Sequence, residues 1–243
     1  MTEVIGIVGA AGDLGRKLTL QASAHFDEVL IYDVSTDYAP ATRGVDPALS
    51  PEAAKSQPQI MNSLEELLSR ATVVHWAAPL SATDQIAGLA PGARLVLHDG
   101  VMANSRATAE HLTGQLGLAD RISVVHCLMN DKCTVVVATD IGDSEHVMDH
   151  LEQLGLTPVL LNQKEHDEIM ATSQGLFAVI CSELNGSLKA LDKRGLLTPS
   201  GRRLEIAMDD NESHWTSTTL DSALSNKELA QVLRHILDRV ESK

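Results

Sequence analysis

Val4-Ile5-Gly6-Ile7-Val8-Gly9-Ala10-Ala11-Gly12-Asp13-Leu14-Gly15 is the stretch on which the fold turns. The apolar run Val4–Val8 does not alternate with polar residues, so it reads as a strand buried on both faces, the habit of a parallel sheet. Gly9, Gly12 and Gly15 then form a GxxGxxG turn that opens a helix. Glycines at this spacing permit a tight turn, close approach of backbone to a pyrophosphate, and close helix–strand packing. The free N–H groups and dipole of the helix N-terminus favour negative charge. Gly9, Ala11, Gly12, Asp13, Leu14 and Gly15 are therefore candidate cofactor-binding residues.

Working outward, Gly15 to about Ala24 is compatible with a helix, and Glu28–Asp33 reads as a second strand. Asp33 falls 18 residues beyond Gly15. A carboxylate there hydrogen-bonds an adenosine ribose hydroxyl and repels a 2′-phosphate, and no Arg or Lys follows until Arg43, so NAD is expected over NADP. Further strands are expected at Ala71–Ala77, Arg94–His98, Ile122–His126, Thr134–Ala138 and Pro158–Leu161, with helices at Ser63–Ser69, Ser105–Leu116 and Ser144–Leu154. Ser63 followed by Glu66 is a capping box. Residues 34–60, rich in Pro, Ala, Ser and Asp, read as an irregular loop with room for a short helix. Pro79, Thr83 and Asp99 follow strand ends, which face the ligand crevice in such sheets, and join the candidate cofactor residues.

Beyond Lys164 the strand runs stop, and Glu165–Arg194 and Ser200–Val240 read as helices. The expected architecture is α/β: a doubly wound, Rossmann-type NAD-binding domain over 1–163, then a smaller all-α domain over 164–243. About 80 residues of amphipathic helix make a small core, so a homodimer through this part is expected.

Composition narrows the function. Nineteen Lys and Arg stand against 33 Asp and Glu, a formal net charge of −14. Such a surface repels nucleic acid and anionic membrane, and an anionic ligand would need local cations or helix N-termini. Aromatic residues make up only 2% of the chain, so a site built on stacking is not expected. Cys127, Cys133 and Cys181 form no CxxC pair, which argues for buried thiols in a reducing compartment. No apolar run is long enough to span a bilayer and no leader pattern precedes Val4; a cytoplasmic location is the expectation.

His166-Asp167-Glu168-Ile169-Met170-Ala171-Thr172-Ser173-Gln174-Gly175-Leu176 resembles the HD-x-x-M-A-x-x-Q-x-L helix of the prephenate/arogenate dehydrogenase family of tyrosine biosynthesis. Arg203-Leu204-Glu205-Ile206-Ala207-Met208 is similar to that family's later R-L-E-L-A-M segment, and Val125-His126 to its strand ending in His-Pro-Met. The resemblance spans nearly the whole chain. It implies oxidative decarboxylation of a cyclohexadienol carboxylate, with hydride passing to NAD and a dimerisation domain formed by the helices. It also implies His126 as the catalytic base or acceptor at the substrate hydroxyl, Arg203 as a bidentate carboxylate ligand, and His166 and Gln174 as substrate-binding residues. The chain departs from the family at four positions. Cys127 stands for the proline after the histidine, Met102 for a serine, Asn104 for a lysine, and Ala178 for a second histidine. Met102 and Ala178 make the expected pocket more apolar than the family norm. A dehydrogenase with a changed substrate and a non-catalytic NAD(H) sensor are the alternatives.

Plainer readings stand beside these. His146 and His150 have metal-ligand spacing on one helix, but Glu145, Asp149 and Glu152 read as an exposed acidic face, and no metal is expected. Adjacent Arg202 and Arg203 also fit a solvated face, and Asp167 fits a helix start.

Overall fold

The computed structural model describes residues 3–35, 54–118, 121–128, 133–142, 144–196, 198–203 and 223–241. Two compact units divide at residue 163: Met1–Gln163 and Lys164–Lys243.

The first unit is an eight-stranded sheet in the order β3-β2-β1-β4-β5-β6-β7-β8. Its strands are β1 (Val4–Val8), β2 (Glu28–Tyr32), β3 (Gln59–Ile60), β4 (Val73–Trp76), β5 (Arg94–His98), β6 (Ile122–Cys127), β7 (Thr134–Gly142) and β8 (Thr157–Leu161). Strands β3 to β6 pair in parallel in the 3-2-1-4-5-6 order of dinucleotide-binding sheets. The helices are α1 (Asp13–His25), α2 (Leu64–Arg70), α3 (Met102–Leu116) and α4 (Ser144–Gln153), with a 3₁₀ helix at Leu80–Gly88. Two apolar layers result. Ile5, Ile7, Val73, Val96 and Val125 pack with residues of α1 and α4, whereas Val74, Trp76, Leu95, Leu97 and Val124 pack with those of α2 and α3. Gly6 faces α2, where a Cβ would meet Leu67 Cδ2 at 2.7 Å and Ala71 Cβ at 2.8 Å.

Of the expected capping box, the Ser63 cap forms, while the Glu66 carboxylate reaches back one residue further than the N-cap, to Asn62. Ser63 Oγ accepts from Glu66 N at 3.1 Å, and Glu66 Oε2 accepts from Asn62 N at 3.2 Å. One helix boundary differs from its expected place, and two features had no counterpart in the sequence reading. Helix α3 begins at Met102 rather than Ser105, because Val101 has extended backbone and caps it. Strand β7 runs antiparallel to β6, a reversal that composition does not announce. Cys133, just before β7, carries φ 50°, a left-handed conformation uncommon for a residue with a Cβ. Most of the 34–60 loop lies outside the described residues.

The second unit comprises α5 (Gln163–Met170, its first residue in the first unit), a π turn (Ala171–Gly175), α6 (Leu176–Lys193) and α7 (Lys227–Glu241). The expected helix Ser200–Val240 is broken at Asn226, whose Oδ1 accepts from Glu228 N at 3.0 Å and caps α7, while its Nδ2 donates to the Asp167 carbonyl at 2.9 Å. Among the described residues no helix is long and apolar enough to cross a membrane.

Candidate active site

The glycine turn is built at the carboxyl ends of β1, β2 and β4, beside the point where strand order reverses. Gly9 N and Ala10 N both donate to the Tyr32 carbonyl, at 3.0 and 3.3 Å, which ties the turn to β2. Gly9 has φ +85°, and a Cβ there would lie 2.7 Å from Ala78 N. Gly15 is tighter still, with its Cβ position 2.0 Å from the Gly9 carbonyl oxygen and 2.7 Å from Ala10 Cα. Gly12 differs. It has ordinary extended backbone, no side-chain cap bond, and only the Gly9 oxygen, at 3.4 Å, near its Cβ position. Gly9 and Gly15 serve the turn's own packing, and Gly12 leaves the mouth of α1 clear. Helix geometry directs the first N–H groups of α1, at Asp13, Leu14 and Gly15, out of that mouth.

Asp33 follows β2 immediately. Its Oδ2 accepts from Ala11 N at 2.9 Å and its Oδ1 from Ser35 N at 2.8 Å. These bonds fix the orientation of the carboxylate at the end of β2. The cradle, the helix mouth and the fixed carboxylate fit the diphosphate and ribose of a dinucleotide.

The other candidate cofactor residues separate. Pro79 is exposed and caps the 3₁₀ helix. Thr83 is 5% exposed, and its hydroxyl donates to the Leu80 carbonyl at 2.7 Å, so it closes a turn. Asp99 is half-buried at the end of β5, and its Oδ1 accepts from Val101 N at 3.3 Å.

His126 is the penultimate residue of β6 and is half-buried. By strand alternation it projects to the α3 face, opposite Val125 and Cys127. Met102, read from the sequence as a pocket residue, is fully buried in the core of that same face. Cys127 and Cys133 are buried free thiols, whereas the side chain of Cys181 lies outside the described residues.

In the second unit His166 is fully buried, with Nδ1 2.8 Å from Asp167 Oδ1. Gln174 is half-buried within the π turn, and Ala178 is buried one turn later. Single π turns inside α-helices are frequent at functional positions, because the extra residue re-aims side chains. Arg203 is exposed, and Leu204–Met208 lies outside the described residues.

One cluster escaped the sequence reading. His150 belongs to no exposed face; it is 5% exposed and packs against Phe26, the ring centroids 5.6 Å apart. His75 on β4 and His98 on β5, 1% and 6% exposed, project to the same side of the sheet. His98 Nε2 lies 2.9 Å from His75 Nδ1, and His75 Nε2 lies 2.9 Å from His150 Nε2. Burial, then repulsion from His150 and His98, holds His75 well below the ordinary imidazole range. Burial, then the charges of His126 and His150, pushes His98 down to about 3. The signal in the sequence was histidine at inward strand positions, where apolar residues are the rule. Among the described residues no group of three His, Cys, Asp or Glu side chains has metal-holding geometry.

No family model matches the chain, and no curated protein sequence matches it. Solved structures do. Prephenate dehydrogenase from Aquifex aeolicus superposes with a TM-score of 0.66 at 15% identity, over 98% of this chain and 89% of that one. Synechocystis arogenate dehydrogenase gives 0.64 at 16% identity, over 98% and 90%. The A. aeolicus enzyme in complex with hydroxyphenyl propionate and NAD+ gives 0.57 at 15% identity, over 100% and 99%. Over nearly its whole length, then, the chain has the fold of prephenate and arogenate dehydrogenases, at 15–16% sequence identity.

Proposed function

We propose that the chain is an NAD-dependent dehydrogenase of the prephenate type, acting on a small carboxylate substrate. The observation that carries the proposal is the Gly9–Gly15 cradle with Asp33 fixed beside it through Ala11 N. The solved complex of the A. aeolicus enzyme, which holds NAD+ and hydroxyphenyl propionate on the same fold, supports it. When bound, NAD would supply the hydride acceptor.

The chain's own residues would do the rest. The N–H groups of Asp13, Leu14 and Gly15 hold the diphosphate, and Asp33 accepts from the ribose hydroxyls and repels a 2′-phosphate. His126 takes the proton of the substrate hydroxyl at an imidazole nitrogen. Arg203 presents a planar fork to a substrate carboxylate, and His166 and Gln174 help to fix the substrate. Residues 1–163 form the cofactor domain. Residues 164–243 form the domain through which two copies pair, a role supported by the exposure of Leu191, Leu196, Leu224 and Leu237.

One observation favours a second reading. Met102 lies in the core where the resemblance implies a polar serine near substrate, and Ala178 is buried where it implies histidine. A different hydroxy acid as substrate, or an NAD(H) sensor without turnover, fits that loss of polar groups.

His126→Asn tests the mechanism. Turnover is expected to fall by about 10²- to 10⁴-fold, the usual contribution of a general base, with NAD affinity unchanged. Unaltered turnover in this variant removes His126 from the mechanism.

A further inference from the structure

We propose that Lys17 is the cation of the dinucleotide site: its buried ammonium, which no acceptor among the described residues engages, draws a diphosphate to the mouth of α1. The inference rests on the reading of Gly9–Gly15 as a dinucleotide cradle. Charge makes such a cation necessary. With 33 Asp and Glu against 19 Lys and Arg, the overall field of the protein opposes a ligand that carries two phosphates. The mouth of α1 offers N–H groups, but Asp13 stands in its first turn and Asp33 beside the cradle, and both have the wrong sign for a diphosphate.

Lys17 is fully buried, where lysine is almost never found unless paired, and its Nζ has no hydrogen-bond partner among the described residues. Taking an ammonium out of water with nothing to replace the lost hydrogen bonds is costly. A group of this kind lowers stability, so maintaining the fold does not account for it. An anion that arrives with a ligand does.

Its place on α1 gives the ammonium a direction. Lys17 stands four residues beyond Asp13, the first residue of the helix, which puts it about 6 Å along the axis from the mouth. Side chains on a helix lean toward its N-terminus, so the four-carbon stem carries Nζ back toward the first turn. The residue one turn in the other direction agrees. Gln21 is also fully buried; its Nε2 donates to Cys133 Sγ at 3.7 Å, and its Oε1 has no partner. An ammonium aimed down the helix would have met that oxygen. Gly15, whose Cβ position lies 2.0 Å from the Gly9 carbonyl oxygen, holds the first turn of α1 against the cradle, so Lys17 keeps its distance from the ligand.

Protein covers Nζ, so Lys17 acts through its field rather than by touching the ligand. Asp13 is exposed, and water and salt screen its charge, whereas a buried charge is screened much less. The adjacent cation, Arg16, is only half-buried and lies about 100° away around the helix. At an effective dielectric of about 20, one unscreened charge a helical turn away is enough to change the affinity for a diphosphate by about tenfold.

Calorimetric titrations of wild type and Lys17→Met with ADP-ribose and with adenosine, alongside thermal melts without ligand, test it. Methionine keeps most of the stem and removes the charge. The variant is expected to bind ADP-ribose about tenfold more weakly and adenosine as the wild type does. It is also expected to melt roughly 3 °C higher, because an apolar group replaces an unpaired buried charge. A lysine kept for structure alone would give the opposite pattern, a lower midpoint with both ligands weakened together. That pattern, or an unchanged affinity for ADP-ribose, overturns the proposal. In the wild type the Lys17 Cε resonance should shift with ADP-ribose and stay in place with adenosine; a resonance that ignores ADP-ribose overturns the proposal even if the variant folds poorly. Wild-type protein that binds neither ligand would overturn the reading of the cradle, and this inference with it.

Discussion

Gly15→Ala is expected to lower the stability of the first unit by about 3 kcal/mol, the upper range for overpacking in a well-packed core, and to abolish dinucleotide binding. The added Cβ would lie 2.0 Å from the Gly9 oxygen and 2.7 Å from Ala10 Cα, both backbone atoms that no rotamer change can move. Relief requires α1 to withdraw from β1, which pulls the helix mouth from the turn. For a domain of this size the loss corresponds to a drop in Tm of roughly 10 °C. Gly12→Ala is the informative partner. Its Cβ would meet only the Gly9 oxygen, at 3.4 Å, on unstrained backbone, so stability should change little. Dinucleotide affinity should still fall, because the methyl group enters the cradle. Thermal melts with and without NAD separate the two outcomes. Equal stability losses in the two variants would contradict the division of roles between these glycines.

Acid is expected to destabilise the first unit as the pH falls below 6.5. His75 and His98 are buried neutral, with folded-state values below the ordinary 6.5. For a depressed histidine the unfolded chain binds the extra proton, so stability is intact above pH 6.5 and declines below it until the folded value is reached. Between pH 7 and pH 5 His98, pushed down to about 3, should remove about 2 kcal/mol, and His75 acts in the same direction. Glu3 acts in the same direction but lower, because its folded value lies below 4.5 and its contribution is lost only beneath that pH. Urea titrations at pH 7, 6 and 5 read the effect as a falling midpoint at constant slope. A midpoint flat across this range would mean that the two rings accept protons without unfolding.

The parts of the molecule legible in sequence are those governed by short-range rules. The Gly9–Gly15 turn, Asp33 beyond β2, and the Ser63 cap each fall within one turn or one βαβ unit, where spacing dictates geometry. The parts that were not legible depend on partners far along the chain. His150 read as part of an acidic helix face because its ring partner, His75, is 75 residues away on β4. Met102 read as a pocket residue because nothing local shows that α3 starts there and turns it into the core. The break at Asn226 follows from its bond to the Asp167 carbonyl, 59 residues earlier. The reversal of β7 depends on pairing with β6 and β8.

Purified protein titrated with NAD and NADP, then supplied with prephenate and arogenate in turn while NADH absorbance is followed, decides whether the chain is a dehydrogenase of this type. NAD is expected to bind in preference to NADP, with Asp33 as the discriminating group, and NADH is expected to form from one of the two acids. NAD binding without turnover would move the chain to the second reading. Failure to bind any dinucleotide would contradict the claim outright.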